Sequence, residues 1–127
     1  MELKKEEFER IADDIYDELP KIFGDKIDNV QIVIEDFPTE EESHDVHASK
    51  TTLLGLYQGV PLPYRGTWYG ARPTVPDRIT LYQKNIESGC TNRGQLIKRI
   101  REVLFHELGH YFGMSEAEIR NAMKEIE

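Results

Sequence analysis

The 127-residue sequence has one cysteine, one tryptophan and no apolar run longer than four residues. A single cysteine excludes an internal disulfide, and such short runs exclude a membrane-spanning helix, which needs about 20 apolar residues. Residues 1–7 are mostly charged and lack the apolar segment of a secretory signal. These absences predict a reducing, cytoplasmic setting. The length fits one modest core, so we expect a single domain over residues 1–127.

Basic side chains are scarce in the first part of the chain. Residues 1–47 contain 16 acidic and 5 basic side chains, whereas residues 48–127 contain 8 acidic and 11 basic ones. The sequence has no basic run with aromatic residues between its charges, the pattern that is typical of nucleic-acid interfaces. We therefore expect neither nucleic acid nor a membrane surface as a partner, and the sequence indicates no oligomeric state.

The N-terminal part predicts one amphipathic helix and one strand. Apolar residues recur at helical spacing over residues 8–19, and Pro20 is expected to end this helix. Residues 30–34 are rich in β-branched side chains and lie between turn residues, which is typical of a core strand. Residues 39–50 carry many acidic side chains and little to bury, so they are predicted to form a mobile loop.

The middle of the chain predicts two further strands. Residues 51–57 form a strand-like segment that Gly55 interrupts. Residues 78–83 alternate with period two, which places Ile79 and Leu81 on one face of the second strand. The stretch between these strands is rich in proline and glycine, and it is expected to be irregular but packed by its aromatic side chains.

The C-terminal part predicts two helices joined by a tight turn. Asn92 opens a capping-box pattern, and a stripe of apolar residues follows over residues 96–111. Gly113 is expected to end this helix in a left-handed conformation. Ser115 and Glu118 form a second capping-box pattern that starts the last helix. Strands grouped between helices in this way predict an α+β fold.

The long helix contains the sequence His106-Glu107-Leu108-Gly109-His110. Residues four apart on a helix are separated by about 6 Å along the axis and about 40° around it, so both imidazoles project to one side and can share a metal. Glu107 lies on the flank, where its carboxylate suits a general base. We predict one zinc ion, because two imidazoles and a carboxylate form its usual catalytic site. The alternative is two histidines on the polar side of an amphipathic helix.

Glu116 is the predicted third ligand of this metal. It follows His106 by ten residues, just beyond Gly113, where the chain can fold back toward the two histidines. Its place in the first turn of the last helix favours the ionised carboxylate that a metal requires. The alternative is an acid that only complements the helix dipole. Glu118 is better explained as the capping partner of Ser115.

Residues 106–116 read HELGHYFGMSE and resemble the H-E-x-x-H-x-x-G-x-x-D signature of the minimal zincins, small bacterial proteins classed as zinc metallopeptidases. Other blocks are similar too, and the resemblance spans roughly residues 5–126. These blocks are IEDFP at residues 34–38, LLGLY at residues 53–57, PL at residues 61–62 and PDRITLY at residues 76–82. The resemblance implies an α+β zincin core, in which an N-terminal helix, the metal helix and a short C-terminal helix pack with a small mixed sheet.

The sequence departs from this signature at its last position. The family usually has Asp there, whereas this chain has Glu116. The extra methylene moves the carboxylate by about 1.5 Å, a change that a turn containing Gly113 can absorb. If Glu116 does not bind the metal, His44 or His47 of the acidic segment would complete the site, although exposed loop histidines are the simpler interpretation of both.

The resulting hypothesis is a zinc metallopeptidase that hydrolyses peptide bonds with a metal-activated water and Glu107 as general base. Tyr57, Tyr64 or Tyr69 could donate to the oxyanion, with packing as the alternative role of each. Trp68 could line the substrate pocket or anchor the irregular segment. Cys90 is most simply a small buried residue.

The rival hypothesis is a non-catalytic interaction domain. Zinc would then stabilise the fold, and the acidic first part of the chain would bind a partner. Glu107 favours catalysis, since a structural site needs no base at that position. The small size favours the rival, since little chain remains to form walls around an extended substrate.

Overall fold

The computed structural model describes residues 1–23, 27–66, 69 and 76–126, and they form an α+β domain, as expected. None of the described helices is long and apolar enough to cross a membrane. In chain order the elements are α1 (Lys5–Phe23), β1 (Val30–Glu35), α2 (Glu40–Asp45), β2 (Gly55–Gln58), a 3₁₀ turn (Leu62–Tyr64), β3 (Asp77–Tyr82), α3 (Gln83–Ser88), α4 (Arg93–Tyr111) and α5 (Glu116–Ile126).

The described strands form a mixed three-stranded sheet in the order β1-β3-β2. β3 pairs in parallel with β1 and antiparallel with β2, so that Ile79 is opposite Ile32 on one side and Tyr57 on the other. The side chains of β3 alternate between two faces, but this alternation does not separate an exposed face from a buried one. Thr80 is as buried as Ile79, so both faces of this central strand are covered at these positions.

The predicted apolar stripes form the core. α1 packs against α4, and each buries the stripe that its spacing predicted, with every side chain at most 7% exposed. Pro20 does not end α1, which continues for one further turn to Phe23. The stripe of α1 consists of Phe8, Ile11, Ala12, Ile15 and Leu19, and that of α4 consists of Leu96, Ile100, Val103, Leu104, Leu108 and Tyr111.

Two short helices were not predicted from the sequence. Part of residues 39–50, the predicted mobile loop, is helix α2, which starts with a capping box: Thr39 Oγ1 accepts from the Glu42 N–H, and Glu42 Oε1 accepts from the Thr39 N–H. These bonds satisfy backbone donors at the start of α2, so this helix forms without the apolar stripe by which longer helices are recognised. Helix α3 follows β3 directly, and β2 is shorter than predicted, beginning at Gly55.

The turn between α4 and α5 has the predicted caps. Gly113 has a φ of 75° and ends α4 in a Schellman motif, in which the Met114 N–H donates to the Gly109 carbonyl and the Gly113 N–H to the His110 carbonyl. Ser115 and Glu118 exchange both bonds of the second capping box. The chain therefore reverses within a few residues and brings the first turn of α5 back beside the last turn of α4.

Candidate metal centre

His106 and His110 lie one turn apart near the end of α4. Their ring centroids are 4.8 Å apart, and the ring planes are nearly perpendicular at 87°. The side chains are 37% and 34% exposed, so solvent reaches both while α4 buries the stripe behind them. The helical spacing therefore places both imidazoles on one accessible side of the helix, as predicted.

The Glu116 carboxylate contacts both imidazoles. Its Oε2 lies 2.9 Å from His106 Nε2, and its Oε1 lies 3.0 Å from His110 Nε2. The short turn and the capping box hold Glu116 at the first position of α5, which faces the histidines. The Glu116 carboxylate thus lies within hydrogen-bond distance of both imidazole nitrogens, and imidazole and carboxylate are donor types that zinc accepts.

Glu107 is held between α4 and the edge strand β2. It is 6% exposed; its Oε1 accepts from the Tyr57 backbone N–H at 2.9 Å, and its Oε2 lies 2.5 Å from His106 Nδ1. Gly55 permits this close approach, since a Cβ there would lie 2.7 Å from a methyl carbon of Val103. Glu107, His106 and His110 form a group whose potential ligand atoms all lie within 4.8 Å.

The carboxylates change the titration of the histidine between them. The hydrogen bond with Glu107, followed by the one with Glu116, raises the pKa of His106 to about 9, although burial opposes this shift. The hydrogen bond with His106 holds the pKa of Glu116 below its usual value. The two carboxylates thus favour a positive charge at His106. A bound metal would supply this charge in place of the proton.

Gly109 allows the close packing of α5 on α4 that positions Glu116. A Cβ on Gly109 would lie 2.4 Å from Cγ1 of Ile119, so the glycine lets α5 approach α4 closely. Ile119 is itself 1% exposed. Sequence reasoning missed this role, although a glycine in the interior of a helix is a signal of close packing.

The three candidate tyrosines have other contacts. The Tyr57 hydroxyl donates to the Asp77 carboxylate; burial, followed by this bond, raises the pKa of Tyr57. Tyr64 is 70% exposed. The Tyr69 hydroxyl accepts from Asn29 Nδ2 at 2.8 Å. The contribution of Tyr57 to the centre is its backbone N–H, and Trp68 lies outside the described residues.

A buried ion pair that the sequence did not reveal supports Tyr57. Asp77 accepts from Tyr57, from the Val60 N–H at 3.2 Å and from Arg65 Nη2 at 2.9 Å. The Arg65 guanidinium stacks 4.1 Å from the ring centroid of Tyr69 and 5.0 Å from that of Tyr111, the residue after His110. No spacing in the sequence signals this cluster, because its members lie in an irregular segment and at a strand end.

The alternative ligands have local contacts. His44 lies in α2, 4.0 Å from Asp45, and its ring centroid is 6.5 Å from that of His47. Both histidines are exposed. Cys90 is buried, and its thiol donates to the Ile86 carbonyl at 3.4 Å, as expected of a small buried residue.

A family model described as zincin-like metallopeptidase matches residues 27–125. The chain belongs to this family. The predicted resemblance is confirmed, although the match begins after α1 rather than near residue 5. Zincins are metal-dependent, typically with zinc, and His106, Glu107 and His110 offer such a site here. No protein of curated function matches the chain.

Proposed function

We propose that this zincin-like protein is a zinc-dependent peptidase whose single metal ion is held by His106, His110 and Glu116. The observation that carries the proposal is the convergence of one Glu116 carboxylate on both imidazole Nε2 atoms, with the Glu107 carboxylate buried beside them. Substrates are peptides or proteins, and we expect neither nucleic acid nor membranes as partners.

Zinc, when bound, acidifies a water molecule and polarises the carbonyl of the substrate. Glu107 is the general base in this proposal. Its Oε1 is oriented by the Tyr57 N–H, and its Oε2 lies on the side of the histidines. That oxygen accepts a proton from the attacking water and transfers it to the leaving nitrogen. Burial keeps the carboxylate in one position, which lowers the cost of orienting it for the reaction.

Glu107→Gln is the variant that tests this function. It removes the proton acceptor and leaves the zinc ligands, so we expect hydrolysis of a mixed peptide library to fall by at least about 100-fold with zinc content unchanged. Zinc is measured by mass spectrometry and cleavage by product analysis. Glu125→Gln is the matched control, because Glu125 is an exposed acid near the end of α5.

Two results would contradict the peptidase assignment. One is equal cleavage of every peptide by the parent protein and Glu107→Gln with zinc bound to both. The other is a zinc-loaded parent protein that cleaves no peptide, which would favour a zinc-stabilised interaction domain.

A further inference from the structure

A cavity of about 400 Å³ lies beside the metal centre. His106 and Glu107 line one part of it, and it continues along α4 toward Arg99. Ala48, residues 52–54, Gly55 at the start of β2 and Met123 of α5 also line it. A substrate held at the metal centre would therefore extend into this cavity.

Arg99 lines this cavity, and part of its donor capacity is unused among the described residues. Its Nε is buried and has no hydrogen-bond acceptor, and within the described part of the chain no ion pair includes Arg99. The guanidinium packs on Gly89, where a Cβ would lie 2.1 Å from Nη1. A buried donor without an acceptor is unusual in proteins, and a functional role is one of its recognised explanations.

The chain is rich in carboxylates, but none of those that the structure describes forms an ion pair with Arg99. Acidic residues outnumber basic ones by 24 to 16. Two other arginines of α4 have partners: Arg93 lies 3.0 Å from Glu7, and Arg101 lies 3.8 Å from Glu18. Glu102 lines the same cavity, one turn nearer to His106, but it forms no ion pair with Arg99. A carboxylate from outside the chain would therefore meet an available guanidinium in the cavity.

The spacing of Arg99 and His106 along the backbone of α4 indicates roughly how far this carboxylate lies from the reacting bond. Arg99 and His106 are seven residues apart on α4, which places them on the same face and about 10 Å apart along the axis. An extended peptide rises about 3.3 Å per residue. The span therefore corresponds to about three residues of substrate.

We propose that Arg99 binds a carboxylate of the peptide substrate about three residues from the cleaved bond. This proposal rests on the proposed peptidase function. The carboxylate belongs either to an Asp or Glu side chain or to the C-terminus of the peptide, since both match the planar, bidentate geometry of a guanidinium. Glu102, between Arg99 and His106, disfavours an acidic residue nearer to the cleaved bond.

Peptide pairs that differ in one group test the proposal with the zinc-loaded protein. One pair has Glu or Gln three residues from the bond that the mixed library shows to be cleaved, with each side of that bond tested. The other pair has a free or an amidated C-terminus at this distance. We expect kcat/KM to be about tenfold higher for one of the acidic forms, and the preferred pair identifies the source of the carboxylate.

Arg99→Gln should abolish this preference, so that kcat/KM no longer differs between the two members of the preferred pair. Arg101→Gln, which removes the same charge from an exposed position of α4, should retain it. Equal kcat/KM for both members of each pair in the parent protein would overturn the proposal, as would a preference that survives Arg99→Gln.

Binding separates this proposal from the peptidase assignment. Calorimetry with zinc-loaded Glu107→Gln measures the affinity of the same peptides without turnover. Tighter binding of the acidic forms, lost on Arg99→Gln, would support the carboxylate site even if the parent protein cleaves no peptide. Equal affinities for acidic and neutral forms, or no binding of any peptide, would refute it.

Discussion

At the scale of single residues, the histidine spacing carried most of the information about the site. A separation of four residues on a helix leaves little freedom, so His106 and His110 could be placed from the sequence. The hydrogen-bond partner of Glu107 could not be predicted from the sequence, because the Tyr57 N–H is a backbone group that any residue except proline provides. The Asp77 pairing was equally hidden, since it joins residues 20 positions apart across the sheet.

Glu116→Ala should weaken zinc binding by at least about 100-fold, because it removes a carboxylate that contacts both imidazoles. Competition with a chromophoric chelator measures the affinity. Glu116→Asp, which restores the usual residue of the signature, should retain most of it, since the turn at Gly113 can absorb a displacement of about 1.5 Å. Unchanged affinity of Glu116→Ala would remove Glu116 from the ligand set.

Tyr57→Phe should lower the free energy of unfolding by about 1–3 kcal/mol, because the buried Asp77 carboxylate loses a hydroxyl donor. Urea titration followed by circular dichroism measures the change. Tyr64→Phe is the control: its side chain is 70% exposed, so the effect should stay within about 0.5 kcal/mol. Equal effects of the two substitutions would show that the bond with Asp77 contributes nothing measurable.

At the scale of elements, long periodic helices were predictable and short ones were not. α1 and α4 each bury one stripe, so hydrophobic periodicity identifies them. α3 instead buries polar side chains, and Asn85 donates to the carbonyls of Lys50 and Leu53 at 2.7 and 2.8 Å. A six-residue helix held by such tertiary bonds has no amphipathic pattern, so the sequence could not reveal it.

Gly109→Ala should move α5 away from α4, because the new methyl group would overlap Ile119. We expect the free energy of unfolding to fall by about 1–3 kcal/mol, and zinc affinity to fall with it because Glu116 moves with α5. Chemical denaturation and chelator competition measure the two effects.

Ile119→Ala provides the matched test of this packing. It makes room for the added methyl group, so Gly109→Ala should cost less in the Ile119→Ala background than in the parent protein. Additive losses in the double variant would show that the overlap with Ile119 is not the cause.

At the scale of the whole molecule, the core and the metal centre are built from different side chains. Apolar residues of α1, β3 and α4 form the core, whereas the histidines lie on the accessible side of α4 and Glu116 on α5. The family match covers the centre but not α1, although α1 packs against α4. The single domain over residues 1–127 stays a prediction.

Removal of zinc should therefore leave this protein folded but less stable. Free zinc at 100 times its dissociation constant would contribute about 2.7 kcal/mol by mass action, and chelation should remove that amount. The far-ultraviolet circular dichroism should hardly change, because zinc contacts none of the core side chains in the proposed site. Thermal unfolding with and without EDTA measures both quantities, and Phe8→Ala should lower the stability equally in the two conditions, since Phe8 belongs to the core. Loss of helical structure on chelation would instead show that the metal holds the fold together, as it does in zinc fingers, and would favour the non-catalytic interaction domain.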